Sequence, residues 1–227
     1  MTKGIFITAT GTDVGKTFIS ALLVKKMKSL GYDCGYYKPV LSGAENRDGK
    51  LWAGDCEYVK QIAKLDGNAI DFASFVFEPA VSPHLASIMT NQKIEMSKIK
   101  KDFETKKSQH DFLVVEGAGG IVCPLVLNLN ETILLKDIIK GLDLDIVIVS
   151  SAALGSINSA VLTVEYAKSN DINIQGIILN NFDKNDLMQN DNMLQIKRLT
   201  GCDILCTVQS NAKELDIKEK DLLKIFN

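Results

Sequence analysis

One stretch constrains this chain more than any other. A short apolar run, Ile5-Phe6-Ile7-Thr8-Ala9, breaks into Thr10-Gly11-Thr12-Asp13-Val14-Gly15-Lys16-Thr17 and then into a helical pattern. Phe18, Ile19, Leu22, Leu23, Met27 and Leu30 recur near helical spacing, Lys25, Lys26 and Lys28 mark the other face, and Gly31 supplies a stop. A strand that passes through a glycine-bearing turn into a helix opening on Gly-Lys-Thr has the ending of a phosphate-binding P-loop. Backbone N–H groups and the helix N-terminus cradle phosphate, Lys16 reaches the outer phosphates, and Thr17 offers an oxygen to Mg²⁺. The full pattern G-x-x-x-x-G-K-[ST] wants glycine where Thr10 stands, so the strand–turn–helix context carries the assignment.

The rest of the chain repeats the alternation. Apolar runs recur at Cys34-Gly35-Tyr36-Tyr37, Phe112–Val115, Asp145–Val149, Gly176–Leu179 and Ile204–Val208, several of them almost unbroken Ile, Val and Leu. Such runs suit parallel strands covered on both faces. Leu154–Ala167 and Lys213–Phe226 read as helices. Together they predict an α/β fold: a three-layer, doubly wound, mainly parallel sheet of the P-loop NTPase-like kind. No Pro/Gly-rich linker or repeat interrupts the 227 residues, and at about 150 residues per domain the expectation is a single domain spanning 1–227. Ligands of such sheets bind beyond the carboxyl ends of the strands, so the residues following each strand are the ones to read for function.

Composition excludes several classes. With 46% hydrophobic and 24% charged residues the chain is not intrinsically disordered. A net charge of −2 argues against a nucleic-acid partner, whose domains are usually basic. No apolar run approaches the ~20 residues of a membrane span. The start Met1-Thr2-Lys3 runs directly into a strand, so a cytoplasmic protein without a secretory signal is expected. The five cysteines, Cys34, Cys56, Cys123, Cys202 and Cys206, form no C-x-x-C pair and read as small buried thiols in a reducing compartment.

Two further strand ends carry chemistry. Lys38-Pro39, with Ser42-Gly43 beyond, ends the second strand and aims a lysine at the P-loop rim, where a cation suits an anionic substrate or a transferring phosphoryl group. The third run ends in Glu116-Gly117-Ala118-Gly119-Gly120. The carboxylate is a hard oxygen ligand for Mg²⁺, and the glycines let backbone approach a ligand. Asp55 is a candidate second carboxylate, although the residues alone do not select it over Asp48 or Glu57.

Other P-loop proteins fit less well. Partitioning and cell-division ATPases place a signature lysine five residues before the P-loop lysine, where this chain has Gly11. A regulatory GTPase reads guanine with Asn-Lys-x-Asp; the nearest string, Asp183-Lys184-Asn185-Asp186, has an acid where the amide belongs. Amidating synthases that activate a carboxylate with ATP usually carry a glutamine-hydrolysing domain, for which this length leaves no room.

Five blocks in order bring in a known family: Gly11–Thr17; Tyr37-Lys38-Pro39-Val40 with Ser42-Gly43; Ser82-Pro83-His84; Val115–Gly120; and Leu154-Gly155-Ser156-Ile157-Asn158. The set resembles the dethiobiotin synthetases, ATP- and Mg²⁺-dependent ring-closing ligases of biotin biosynthesis. That resemblance implies that 7,8-diaminononanoate, CO₂ and ATP give dethiobiotin, ADP and phosphate, through a carbamate and then a carbamic–phosphoric anhydride. It implies that Thr17, Asp55 and Glu116 hold Mg²⁺. The resemblance also implies Lys16 and Lys38 as catalytic cations, with Thr12 in the catalytic set, and has Thr12 and Ser42 orient the substrate. By the same resemblance Asp13, Val14, Gly15, Phe18, Gly117, Ala118 and Gly119 would line the nucleotide, and Asn180, assisted by Asn181, would meet the adenine. Leu154, Gly155 and Asn158, at a helix start, would receive the substrate carboxylate across a homodimer interface. His84 is read as loop and wall rather than as a base. The chain departs from the family at Asp13, where an acid one methylene longer is common, and at Ala9, where the first loop glycine is common.

Overall fold

A computed structural model describes residues 3–226; Met1-Thr2, on which the reading of the N-terminus rests, lies outside them. The chain opens with β1 (Lys3–Ala9), α1 (Lys16–Ser29) and β2 (Cys34–Ser42). A small hairpin, β3 (Glu45–Arg47) and β4 (Lys50–Trp52), leads into α2 (Gly54–Ala63) and β5 (Ala73–Phe77). Then come α3 (Pro83–Thr90), α4 (Met96–Lys107) and β6 (Phe112–Glu116). A second hairpin, β7 (Pro124–Leu127) and β8 (Thr132–Leu134), precedes α5 (Leu135–Gly141) and β9 (Ile146–Ser150). The last elements are α6 (Ser156–Ser169), β10 (Ile174–Asn180), α7 (Leu187–Thr200), β11 (Ile204–Val208) and α8 (Glu219–Ile225).

Seven strands make one sheet in the order β11-β10-β9-β1-β6-β2-β5, and its pairings are all parallel. The near-continuous apolar strands are explained by what covers them. In β1, Ile5 and Ile7 enter one core with α1, α2 and α8, while Phe6 enters the other with α3 to α7. Strand β9 divides likewise, Val147 and Val149 to one side and Ile146 and Ile148 to the other. Residues at successive positions point to opposite faces, and here both faces are core, so no polar alternation is possible. Each such side chain, at 0% exposure, contributes roughly 1.5–3 kcal/mol of burial. Central β1 lies between β6 and β9, so its carboxyl end is where the strand order reverses.

Three expectations change. Strand β2 does not stop at Lys38-Pro39 but runs to Ser42. Its pairing with β6 ends at Tyr37, and beyond that point it pairs with β5. The predicted helix from Lys213 shrinks to α8, because Leu215 and Ile217 alternate into the core as extended chain. All five thiols are free, but Cys123 and Cys202 are only half-buried. Burial pushes the Cys56 and Cys206 thiols up to about 12, and Cys123 to about 11.

Candidate active site

A cavity of about 440 Å³ opens at the carboxyl end of the sheet, walled by the P-loop, by Lys38, Val40 and Ser42 of β2, by Asp55 and by Glu116 to Gly119. The loop that joins β1 to α1 has the shape its sequence requires. Gly15 adopts a φ of 96°, open to glycine at little cost, and a Cβ there would overlap the Asn180 amide. Asp13 also lies in the left-handed region, at φ 60°, which short acidic side chains tolerate. Helix α1 then begins at Lys16, directing its free N–H groups at the cavity.

The cations and carboxylates form one network. The Lys38 ammonium lies 2.7 Å from Asp55 Oδ2 and 2.6 Å from Glu116 Oε1. Thr17 donates to the same Glu116 oxygen at 2.7 Å, and the Tyr36 phenol donates to Oε2 at 2.8 Å. Glu116 and Lys38 are 0% and 3% exposed. Burial disfavours the Lys38 charge, but Glu116 and then Asp55 more than offset it and hold its pKa above the ordinary lysine value. Asp55 is likewise pushed up by burial, but Lys38, with the Thr17 hydroxyl assisting, leaves it below the usual carboxylate range. Lys16 shows the reverse: burial, then the charge of Lys38, lowers its pKa. Its ammonium donates to Gly11 O at 3.2 Å, inside the turn it belongs to.

Lys16, which donates to a backbone oxygen, and the free N–H groups at the start of α1 suit a chain of phosphates in this cavity. Asp55 and Glu116 oxygens gather around a cation already, the Lys38 ammonium, and the Thr17 hydroxyl donates to the same Glu116 oxygen. Their hard donor chemistry, with only two carboxylates, fits Mg²⁺, which takes one or two carboxylates and completes its shell with phosphate and water. Tyr36 has the opposite character: burial, then Glu116, raises its phenol pKa well above the ordinary value, so it remains a neutral donor.

Most of the residues expected from the sequence converge here. Thr12, Asp13, Gly15, Lys16, Thr17, Lys38, Ser42, Asp55, Glu116, Gly117, Ala118 and Gly119 all line the cavity. Distance selects Asp55, since Asp48 sits in the exposed turn of the β3–β4 hairpin and Glu57 lines a separate groove beside Trp52. Gly117 must be glycine, because a Cβ there would come within 2.8 Å of Phe6 and 2.9 Å of Leu135. Phe18 packs into the α1 core, behind the loop rather than on the cavity wall. Asn180 is 2% exposed; its amide donates to Val14 O at 3.0 Å, while its Oδ1 has no partner. Asn181 is exposed, and its Oδ1 accepts from Ser210 at 3.2 Å.

Some residues lie elsewhere. Leu154, Gly155 and Asn158 are exposed and do not line the cavity. His84 is not in a loop but in the first turn of α3, because Pro83 suits that opening position, and it lines a different groove with Leu125 and Leu127. Tyr36 and Val40 were not singled out from sequence. Tyr36 is two residues before Lys38 on an extended strand, a spacing that puts both on one face, and both reach Glu116.

Comparison with known proteins is consistent with this geometry. A family model described as an AAA domain matches residues 3–215. The ATP-dependent dethiobiotin synthetase BioD of Clostridium botulinum strain 657 is 46% identical over 226 residues, covering 100% of this chain and 99% of its own length. That of strain Alaska E43 is 46% identical over 227 residues, with the same coverage. Among solved structures, the MinD septum-site protein of Pyrococcus horikoshii, complexed with Mg-ADP, superposes with a TM-score of 0.55 at 14% identity, over 99% of this chain and 94% of that one. A ParA family ATPase from Chlorobium tepidum gives 0.54 at 15% identity, over 100% and 91%. At those identities the likeness is one of fold.

Proposed function

We infer the reaction from the premise that this chain belongs to the ATP-dependent dethiobiotin synthetase family. It joins CO₂ to 7,8-diaminononanoate and closes the ureido ring of dethiobiotin, with ATP converted to ADP and phosphate. The observation that carries the mechanism is the paired lysines: Lys16 at the phosphate loop and Lys38 between Asp55 and Glu116, on one cavity wall.

One amine of the substrate adds to CO₂ and loses a proton, giving a carbamate. A carbamate oxygen attacks the γ-phosphorus, the bond to ADP breaks, and a mixed anhydride forms. The second amine attacks the anhydride carbonyl and loses a proton, phosphate leaves, and the ring is closed. Carbamate and triphosphate are both anions, so their approach depends on cations fixed in advance. Lys16 holds the outer phosphates, Lys38 faces the carbamate and the phosphoryl group in flight, and Thr12 and Ser42 orient the diamine. Thr17, Asp55 and Glu116 would hold Mg²⁺, which when bound neutralises phosphate charge. The buried, unpartnered Oδ1 of Asn180 suits the amino group of adenine.

The site is completed by a second copy. Leu154, Gly155 and Asn158 face outward at the start of α6, whose free N–H groups suit a carboxylate. Leu154, Leu162 and Leu194 around α6 and α7 are 88%, 60% and 60% exposed, in keeping with a covered face in a homodimer. Among the described residues no helix is long and apolar enough to cross a membrane. The free thiols suit a reducing cytoplasm.

Heavy-oxygen bicarbonate tests the mechanism. In brief incubations, one labelled oxygen should pass from CO₂ through the carbamate into the released phosphate. Unlabelled phosphate released together with labelled dethiobiotin would overturn the phosphorylated-carbamate route.

A further inference from the structure

Glu116 is held from two sides. Its Oε1 accepts from Thr17 at 2.7 Å and from Lys38 at 2.6 Å, on the cavity side. Its Oε2 accepts from the Tyr36 phenol at 2.8 Å. With Glu116 at 0% and Tyr36 at 2% exposure, no solvent competes for that second oxygen. The last torsion of a glutamate is soft and roughly two-fold, so an untied carboxylate presents either oxygen, or both. Tyr36 is itself fixed: it sits in β2, and its ring meets Phe72 edge-on, with centroids 6.3 Å apart and planes at 89°.

We propose that Tyr36 is a positioning residue for the metal: its hydroxyl pins Oε2 of Glu116 and so turns Oε1, alone, toward Thr17, Asp55 and the nucleotide phosphates. The inference rests on Glu116 being a metal ligand. Tyr36 does not line the cavity and acts through the carboxylate. Partners behind a metal ligand set its orientation, and their loss typically lowers metal affinity ~10–100-fold.

Tyr36→Phe tests this directly, because it keeps the ring and its packing on Phe72 and removes only the donor. Mn²⁺ affinity of the ADP-bound protein is measured from the electron paramagnetic resonance of free Mn²⁺, alongside ADP affinity in EDTA. Tyr36→Phe should weaken Mn²⁺ ~10-fold or more, leave metal-free ADP binding unchanged, and raise the Mg²⁺ needed for half-maximal rate while kcat at saturating Mg²⁺ recovers. In a Glu116→Gln background the same substitution should cost nothing further. Wild-type Mn²⁺ affinity in Tyr36→Phe, or an equal loss in the Glu116→Gln background, would overturn the proposal. Weakened metal-free ADP binding would also overturn it, since Tyr36 would then shape the pocket rather than the ligand. If Glu116→Gln itself left Mn²⁺ affinity unchanged, the ligand assignment would fall, and this inference with it.

Discussion

Replacing Lys38 by methionine keeps the aliphatic stem and deletes the ammonium, so it isolates what that charge does. In the folded protein the ammonium is 2.7 Å from Asp55 and 2.6 Å from Glu116. Without it, Glu116 at 0% exposure keeps only the Thr17 and Tyr36 hydroxyls as hydrogen-bond partners, with the Lys16 charge in the same cavity. Breaking a buried ion pair by removing one partner costs about 3–5 kcal/mol. The low end applies here, because the Asp55 side chain is 44% exposed and can turn to water. For a chain of this size about 3 kcal/mol lowers Tm by roughly 6–12 °C. The same three oxygens fit Mg²⁺, so a metal should replace the missing cation and restore what the substitution removed. Thermal unfolding in EDTA and in saturating Mg·ADP reads both effects. Lys38→Met should melt well below wild type in EDTA and gain more from Mg·ADP than wild type does, while turnover falls ~10²-fold or more. Refutation would be a loss of less than about 2 °C in EDTA, or an equal Mg·ADP shift in both proteins.

Gly15→Ala should abolish Mg·ADP binding, measured by calorimetry, because alanine disfavours φ 96° and its Cβ would strike the Asn180 amide. Asn180→Ala should lower the preference for ATP over GTP ~10-fold in competition binding; an unchanged preference would remove Asn180 from base reading. Asp55, with its pKa held below 3.8, contributes stability that is full above that value and lost as pH falls through the lowered one. The urea midpoint of wild type should therefore exceed that of Asp55→Asn at neutral pH and converge on it in acid. Leu162→Lys with Leu194→Lys should give a monomer in sedimentation that binds ATP but does not turn over the diamine; an unaltered oligomeric state would count against the α6–α7 interface.

The architecture was legible because parallel strands buried on both faces leave unbroken apolar runs. The P-loop was legible because its turn needs glycine in place and its helix must begin at the lysine. Strand β5 was not, since Ala73-Ser74-Phe75-Val76-Phe77 is short and mixed. The tail misled because Leu215 and Ile217, two apart, were read as helical when they bury as extended chain. The residues alone left three acids open beside the resemblance, and the distance to Lys38 favours Asp55. Tyr36 carried a usable signal, two residues before Lys38 on a strand. By contrast, Leu154, Gly155 and Asn158 are exposed and away from the cavity, and no pattern within one chain shows what covers them.

The most direct measurement is product formation by the purified protein. With ATP, Mg²⁺ and bicarbonate, it should release phosphate only when 7,8-diaminononanoate is added, and one dethiobiotin should appear for each phosphate. Steady ATP hydrolysis without the diamine, or phosphate release without dethiobiotin, would contradict the ligase.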